Sequence, residues 1–318
     1  MNITLEAVDL ARSAATCASC GTPLYRYATR CHVCRAPRPP TEPRHSEPMG
    51  PHGPRLVRIA HLTDVHLTSH SPTPAAVLRA WTRGLTDIGA EQLVVSGDLV
   101  HDPLDEQAML DAKDILVERY AGRFVVVPGN HDIATFGRIS PFDHVFPGDW
   151  PRVEPHGPID FILFDSTRGL PDRERTAMER LFARGIGWTE GRIDLASLKA
   201  LDASLRPDAV PVVVLHHHVS DHPPEPVLEA APWLSDSTIG TMRPVQGAEA
   251  LLRWARARRV GLILHGHKHR RNAWRHRGGI LIANGGSSTQ RDDHGHYRAF
   301  VFDVHTHGVQ LYVATLKT

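Results

Sequence analysis

No cysteine occurs after Cys34 in this chain of 318 residues. The long remainder therefore has no disulfide available to it, and the four thiols, at Cys17, Cys20, Cys31 and Cys34, must serve something local. Also missing is any apolar run approaching the roughly 18 residues of a membrane span. The opening MNITLEAVDLARSAAT is interrupted by Glu6, Asp9 and Arg12, where a signal peptide would run unbroken. A cytoplasmic protein with no membrane partner is the expectation. A basic excess is absent too: Lys and Arg total 36 against 35 acidic residues, so the net charge is +1. That balance neither demands nor excludes a nucleic-acid partner. No repeat of fixed period is visible. What is present is an ordinary globular composition, 41% apolar and 22% charged, which excludes wholesale disorder and fibrous architectures. Histidine, with 22 residues, is the one outlier, and position rather than abundance must carry any functional reading.

The cysteines form two CxxC pairs, ten residues apart, in the run CASCGTPLYRYATRCHVC. Thiolates are soft ligands, and four of them on two knuckles suit one tetrahedral zinc ion. A unit this small has too little core to fold alone, so zinc would supply most of its folding free energy. No βαβ pattern surrounds it, which argues against a redox pair. The stretch resembles the short zinc ribbons appended to many bacterial proteins, leaving a protein or nucleic-acid partner open to it. From Arg35 to Pro54 the chain carries seven prolines in twenty residues and reads as an extended linker. At about 3.1 Å per residue it reaches up to roughly 60 Å. The expected division is 1–34 for ribbon and N-terminal tail, 35–54 for a Pro-rich linker, and 55–318 for one large domain.

After Arg55 short β-branched runs alternate with helical stretches. Strands are predicted at 55–61, 92–95, 124–127, 159–164, 210–215 and 261–264, with helices at 75–88, 104–120, 194–205 and 246–259 between them. Val77, Leu78, Trp81 and Leu85 fall on one helical face. Three further strands, at 279–283, 297–303 and 309–315, give a layered α/β domain whose sheet turns antiparallel toward the C-terminus.

Most of these strands run straight into a chemically equipped loop. The first ends in Thr63-Asp64-Val65-His66, the second in Gly97-Asp98, and the third in Gly129-Asn130-His131-Asp132. The fifth ends in His216-His217-His218, and the sixth in Gly266-His267-Lys268-His269. Ligands of open α/β sheets gather beyond the carboxyl ends of strands, so five such loops should converge on one crevice. Each loop alone is weak: Gly-Asp after a strand is usually a turn, and Asn-His can bond its own backbone. Five in series are not. Their mixture of carboxylate, carboxamide and imidazole suits Mn, Fe or Zn rather than Mg or Ca. His61, His101, His144, His156 and His222 lack such placement and read as surface or satisfied core residues.

These blocks resemble, in order, the motifs of the calcineurin-like metallophosphoesterase superfamily over residues 55–270. The resemblance implies an α/β sandwich of mixed sheets flanked by helices, with a dinuclear metal centre. By it, Asp64, His66 and His269 hold one metal, Asn130, His217 and His267 hold the other, and Asp98 bridges them. His131 becomes a catalytic acid close to the metals, with Asp132 suited to orient it. The fifth block departs from the usual pattern. Val219 stands where a proline commonly follows the ligand, and that alignment selects His217, with His216 as the alternative. The implied activity is hydrolysis of a small phosphate-ester substrate, most simply a phosphodiester, by attack of a metal-bound hydroxide. Asp165-Ser166, Gly191 and Leu264-His265-Gly266-His267 read like the bacterial cyclic-nucleotide and glycerophosphodiester phosphodiesterase branch. A phosphomonoesterase, a nuclease gripping its substrate through Arg253–Arg259 and Lys268–Arg277, and a non-catalytic scaffold are the other readings. The stretch 233–243 is a candidate cap over the site.

Overall fold

The β-branched runs fold as strands and the amphipathic stretches as helices laid on them. A computed structural model describes residues 2–8, 15–16, 23–24, 52–133, 140–167, 191–193, 195–219, 244–269, 271–276, 279–292 and 295–317. The strands are β1 (Asn2–Ala7), β2 (Ala15–Thr16), β3 (Pro23–Leu24), β4 (His52–Leu62), β5 (Gln92–Val95), β6 (Phe124–Val126), β7 (Arg152–His156), β8 (Ile159–Leu163), β9 (Val210–Val214), β10 (Leu262–His265), β11 (Asn272–Arg275), β12 (Leu281–Asn284) and β13 (Tyr297–Lys317). The helices are α1 (Pro72–Asp87), α2 (Glu106–Tyr120), α3 (Pro141–Val145), α4 (Leu195–Leu201) and α5 (Ala248–Ala257).

One sheet has the order β1-β13-β4-β5-β6 and the other β11-β12-β10-β9-β8-β7. Their inner strands are parallel, β4-β5-β6 in the first and β8-β9-β10-β12 in the second, with antiparallel strands at the edges. Strands covered on both faces read as continuous apolar runs, which is why 92–95 and 210–215 carry no alternation. Val57, Ile59 and Val94 of the first sheet meet Phe161, Val212 and Leu264 of the second in a dry interior. Trp81, Leu85 and Met109 pack α1 and α2 on the outer face of the first sheet. Leu198, Leu251 and Ala255 do the same for α4 and α5 on the second. Pro72 opens α1, and Asp105 caps α2 by accepting from the Ala108 amide at 3.0 Å. No helix among the described residues is long and apolar enough to cross a membrane.

The last strand doubles back on itself. Asp303 accepts a hydrogen bond from the Tyr312 side chain, and Arg58 pairs with Asp303 at 2.6 Å while lying 5.7 Å from the Tyr312 ring. Nine residues of straight strand would separate 303 from 312 by roughly 30 Å. The reversal falls where the register breaks after Val304 and Gly308 takes φ 113°. Two strands were expected here, at 297–303 and 309–315, and the two arms correspond to them.

The N-terminus differs from expectation. Residues 2–7, assigned above to a tail beside the ribbon, form β1 and pair with β13 from Asn2↔Lys317 to Ala7↔Tyr312. Ile3 and Leu5 pack toward α1, where Ile3 lies beneath Gly84, and pairing with β13 makes the segment a strand. The expected linker also ends early, since β4 begins at His52 and pairs with His307. The stretch 9–51 is therefore flanked by two strands of one sheet. Within it β2 and β3 pair antiparallel, Ala15 with Leu24 and Thr16 with Pro23. All four cysteines and the 233–243 stretch lie outside the described residues.

Candidate metal centre

The carboxyl ends of β4, β5, β6, β9 and β10 bring all five loops to one end of the sandwich. Ligand atoms of Asp64, His66, Asp98 and His269 lie within 4.8 Å of one another. His66 Nε2 is 3.1 Å from His269 Nε2 and 3.8 Å from Asp98 Oδ2, and His269 Nε2 is 3.2 Å from Asp64 Oδ1. Two carboxylates and two imidazoles converging so tightly repel unless protons or a cation sit among them, and this donor set fits a transition metal.

The backbone is bent to achieve this. Among the described residues six non-glycines have positive φ, and five are Asp64, His66, Asp98, His267 and His269, between 49° and 76°. Left-handed conformations outside glycine persist where the surroundings enforce them, and they gather at functional sites. Here loop-to-loop hydrogen bonds do the enforcing. Asp64 and Val65 donate to the Gly97 and Asp98 carbonyls at 3.0 and 2.8 Å, and Leu67 donates to Leu99 at 2.7 Å. Gly129 is required because a Cβ there would land on the Asp98 carboxylate, and Gly266 because one would land on Thr63 and Asp64.

A second donor group adjoins the first across Asp98. His216 Nε2 lies 3.0 Å from Asn130 Oδ1 and 3.4 Å from Asp98 Oδ2, and His267 Nδ1 lies 2.9 Å from the same Asn130 oxygen. The Nδ1 of His216 donates to the Ser96 carbonyl at 2.9 Å, which leaves Nε2 as the nitrogen that could hold an ion. His217, the residue selected by alignment, turns its Nδ1 to Ser166 Oγ at 3.0 Å. The same hydroxyl accepts from the His216 and His217 amides, at 3.3 and 3.2 Å, and holds the turn. The structure thus brings Asp98 and Asn130 to His216, the alternative, because side chains alternate leaving β9 and the odd position faces Ser166.

Electrostatics follow from burial and charge. Burial raises the Asp98 carboxyl, but the His216 charge and hydrogen bond overcome it and hold the carboxylate ionised. Burial works against a charged His216, yet Asp98 and then Asp64 push its pKa up to about 9. Burial, against the pull of Asp98 and Asp64, takes His66 down to about 4, which favours the neutral, ligating imidazole. Asp132 is raised to about 7 by burial and by the Asp98 charge, against donation from the Gly129 and Val100 amides.

His131 is placed by backbone. Its amide donates to Asp98 Oδ1 at 2.8 Å, and its ring Nδ1 donates to the His101 carbonyl at 2.8 Å, leaving Nε2 for chemistry. Asp132, expected to orient it, instead ties Gly129 and Val100 together beneath the loop. His101, set aside as a surface residue, is exposed but belongs to the site: its ring stacks 5.5 Å from His131, and its ligand nitrogen groups with those of His66 and His131. A backbone carbonyl carries no motif, so nothing in the sequence marked this contact. Ser96 and Ser166 were similarly invisible as supports. His61 is a buried core histidine whose Nε2 lies 2.8 Å from Ser96 Oγ, while its buried Nδ1 has no hydrogen-bond partner among the described residues.

The family of calcineurin-like phosphoesterases matches residues 57–271 of the chain. Solved structures of similar fold include the following three. A dimetal phosphatase from Danio rerio is 15% identical with a TM-score of 0.55, covering 81% of this chain and 99% of its own. The protein TT1561 of Thermus thermophilus is 14% identical with a TM-score of 0.51, covering 80% and 98%. The purple acid phosphatase PPD1 from yellow lupin is 13% identical with a TM-score of 0.52, covering 82% and 52%. No curated protein matches.

Proposed function

The chain belongs to the calcineurin-like phosphoesterase family, and we propose that, as a metal-dependent phosphoester hydrolase, it cleaves phosphodiesters at a dinuclear centre. The observation that carries this reading is the convergence of Asp64, His66, Asp98 and His269 within 4.8 Å, on left-handed backbone. These four would hold one ion, and Asp98, Asn130, His216 and His267 the other; Asp98 would serve both, since a carboxylate offers two oxygens and a negative charge to offset cation repulsion. Mn, Fe or Zn suits the mixed oxygen and nitrogen donors. Bound there, the ions lower the pKa of water and neutralise charge on the phosphoryl oxygens.

The chain's own groups supply the rest. Asn130 is a neutral ligand, fixed between His216 and His267. His131, with Nδ1 committed to the His101 carbonyl, offers Nε2 to the departing alkoxide as proton donor or to a phosphoryl oxygen as hydrogen-bond donor. The diester preference is supported by the branch-like sequence around Asp165-Ser166, where Ser166 fixes the histidine turn. Cys17, Cys20, Cys31 and Cys34 would hold a separate structural zinc in a unit inserted between β1 and β4.

Assay of the purified chain with added Mn tests the reading. Faster turnover of bis(p-nitrophenyl) phosphate than of p-nitrophenyl phosphate is expected; the reverse preference moves the assignment to a phosphomonoesterase.

A further inference from the structure

The turn that leaves β12 supplies no ligand to the metal centre, yet it closes over two of the turns that do. It reads Asn284-Gly285-Gly286-Ser287-Ser288-Thr289, buried except for the half-buried Thr289. Gly286 takes φ 64°, and a Cβ there would meet the Arg271 amide at 2.8 Å, so glycine is required for the chain to fold back at this point. On one side Asn284 Nδ2 donates to the Gly266 carbonyl at 3.1 Å and the Gly285 amide to the His265 carbonyl at 3.0 Å, next to His267 and His269. On the other, Ser287 Oγ donates to the Asp64 carbonyl at 2.9 Å and Thr289 Oγ1 to the Val65 carbonyl at 2.7 Å. The two gripped turns also meet directly, where Asp64 Oδ2 accepts from the His267 amide at 3.1 Å.

The turn from Asp64 to His66 is therefore held along both of its edges. Its three amides donate to the Gly97 and Asp98 carbonyls at 3.0, 2.8 and 2.9 Å, a backbone-to-backbone edge that any side chains would permit. The carbonyl edge depends on residue identity, because among the described residues the Ser287 and Thr289 hydroxyls are the donors to it. Asp64 and His66 both take φ 51°, a conformation that residues with a Cβ rarely adopt. The bend that turns both ligands toward one ion thus rests on the groups that fix the two carbonyls between them.

We infer that Ser287 and Thr289 are positioning residues of the metal centre, which set the affinity of the ion held by Asp64 and His66. The inference rests on the dinuclear reading above. The test is calorimetric titration of manganese into the full chain, purified without added manganese, for the parent, Thr289→Val, Ser287→Ala and the double variant, with the melting temperature of each measured before manganese is added. Thr289→Val removes a hydroxyl at nearly equal volume and should weaken one of the two ions about tenfold, with both still bound at saturation; the double variant should weaken it further. Thr289→Ser keeps the donor and should restore the parent's affinity. The manganese concentration giving half-maximal turnover of bis(p-nitrophenyl) phosphate should rise with the dissociation constant, while KM for the ester at saturating manganese stays as in the parent. A lowered melting temperature with unchanged manganese affinity in the double variant would make the hydroxyls structural only and overturn the inference, as would a Thr289→Ser variant as weak as Thr289→Val. Where Thr289→Val does not fold, Ser287→Ala decides by the same comparison at the Asp64 carbonyl. A parent chain that binds no manganese would overturn the dinuclear reading itself, and this inference with it; a parent that binds, beside variants that bind equally well, overturns this inference alone.

Discussion

Adjacent histidines on one turn differ in role because side chains leaving a strand alternate. His216 reaches Asn130 and Asp98 with its Nε2, whereas His217 is engaged with Ser166. His216→Ala should therefore yield protein with about half the metal content and activity lower by orders of magnitude. His217→Ala should keep both ions while losing the hydroxyl contact. Metal analysis and turnover of the two purified variants decide it, and equal metal loss in both would undo the assignment. At this scale the sequence was legible in the loops that follow the strands, because Asp64, His66, Asp98, Asn130, His267 and His269 stand directly after them and the fold brings these side chains together. It was illegible where function belongs to the backbone, as with the His101 carbonyl that orients His131. It was also illegible where two like residues compete for one place, since register at a strand end depends on sheet contacts no local pattern encodes.

Elements transmit the core's rigidity to the loops. Trp81 of α1, fully buried, donates its indole N–H to the Ser288 carbonyl at 2.8 Å. Ser288 in turn accepts from the Thr63 amide through its hydroxyl at 3.0 Å, and its own amide donates to the Thr63 carbonyl at 3.0 Å. The residue before Asp64 is thus held from the far side of the sheet. Trp81→Phe keeps most of the apolar volume but leaves a buried carbonyl unpaired, at a cost of about 1–3 kcal/mol. A lowered urea midpoint, with turnover reduced beyond what any loss of folded protein explains, is the expected result; a stability loss without any change in turnover would show that Thr63 is fixed without Ser288. Long elements such as α1 and α2 were readable because the helical period of their apolar residues is a local signal. β7 and β11 were not, since each is an edge strand of four or five half-buried residues that pairing, not composition, defines.

Among the described residues the molecule is built on two large sheets, and the first is closed by segments far apart in sequence. Residues 2–7 and 297–317 complete the sheet begun by β4, so β13 ties the N-terminus to the catalytic strands. This was the least legible feature, because such pairing depends on partners some 300 residues away. Arg58 of β4 fastens the seam: Nε and Nη2 grip the Asp303 carboxylate at 2.6 and 2.7 Å, and Nη1 donates to the Ile88 carbonyl at 2.8 Å. Burial raises the Asp303 carboxyl, but the Arg58 hydrogen bond and charge outweigh it, and its pKa stands below the usual 3.8. A depressed carboxyl pKa stabilises the fold above the unfolded value, and that stabilisation is lost as pH falls through the folded one. Asp303→Asn should cost about 1.5–3 kcal/mol at neutral pH, the range for hydrogen bonds to charged groups. Below about pH 4 the gap between variant and parent should close, because the parent's carboxyl takes up its own proton. Urea midpoints of both proteins from about pH 7 to about pH 3 measure this directly. A gap that stays constant across that range would mean that packing, not the carboxylate charge, joins β4 to β13.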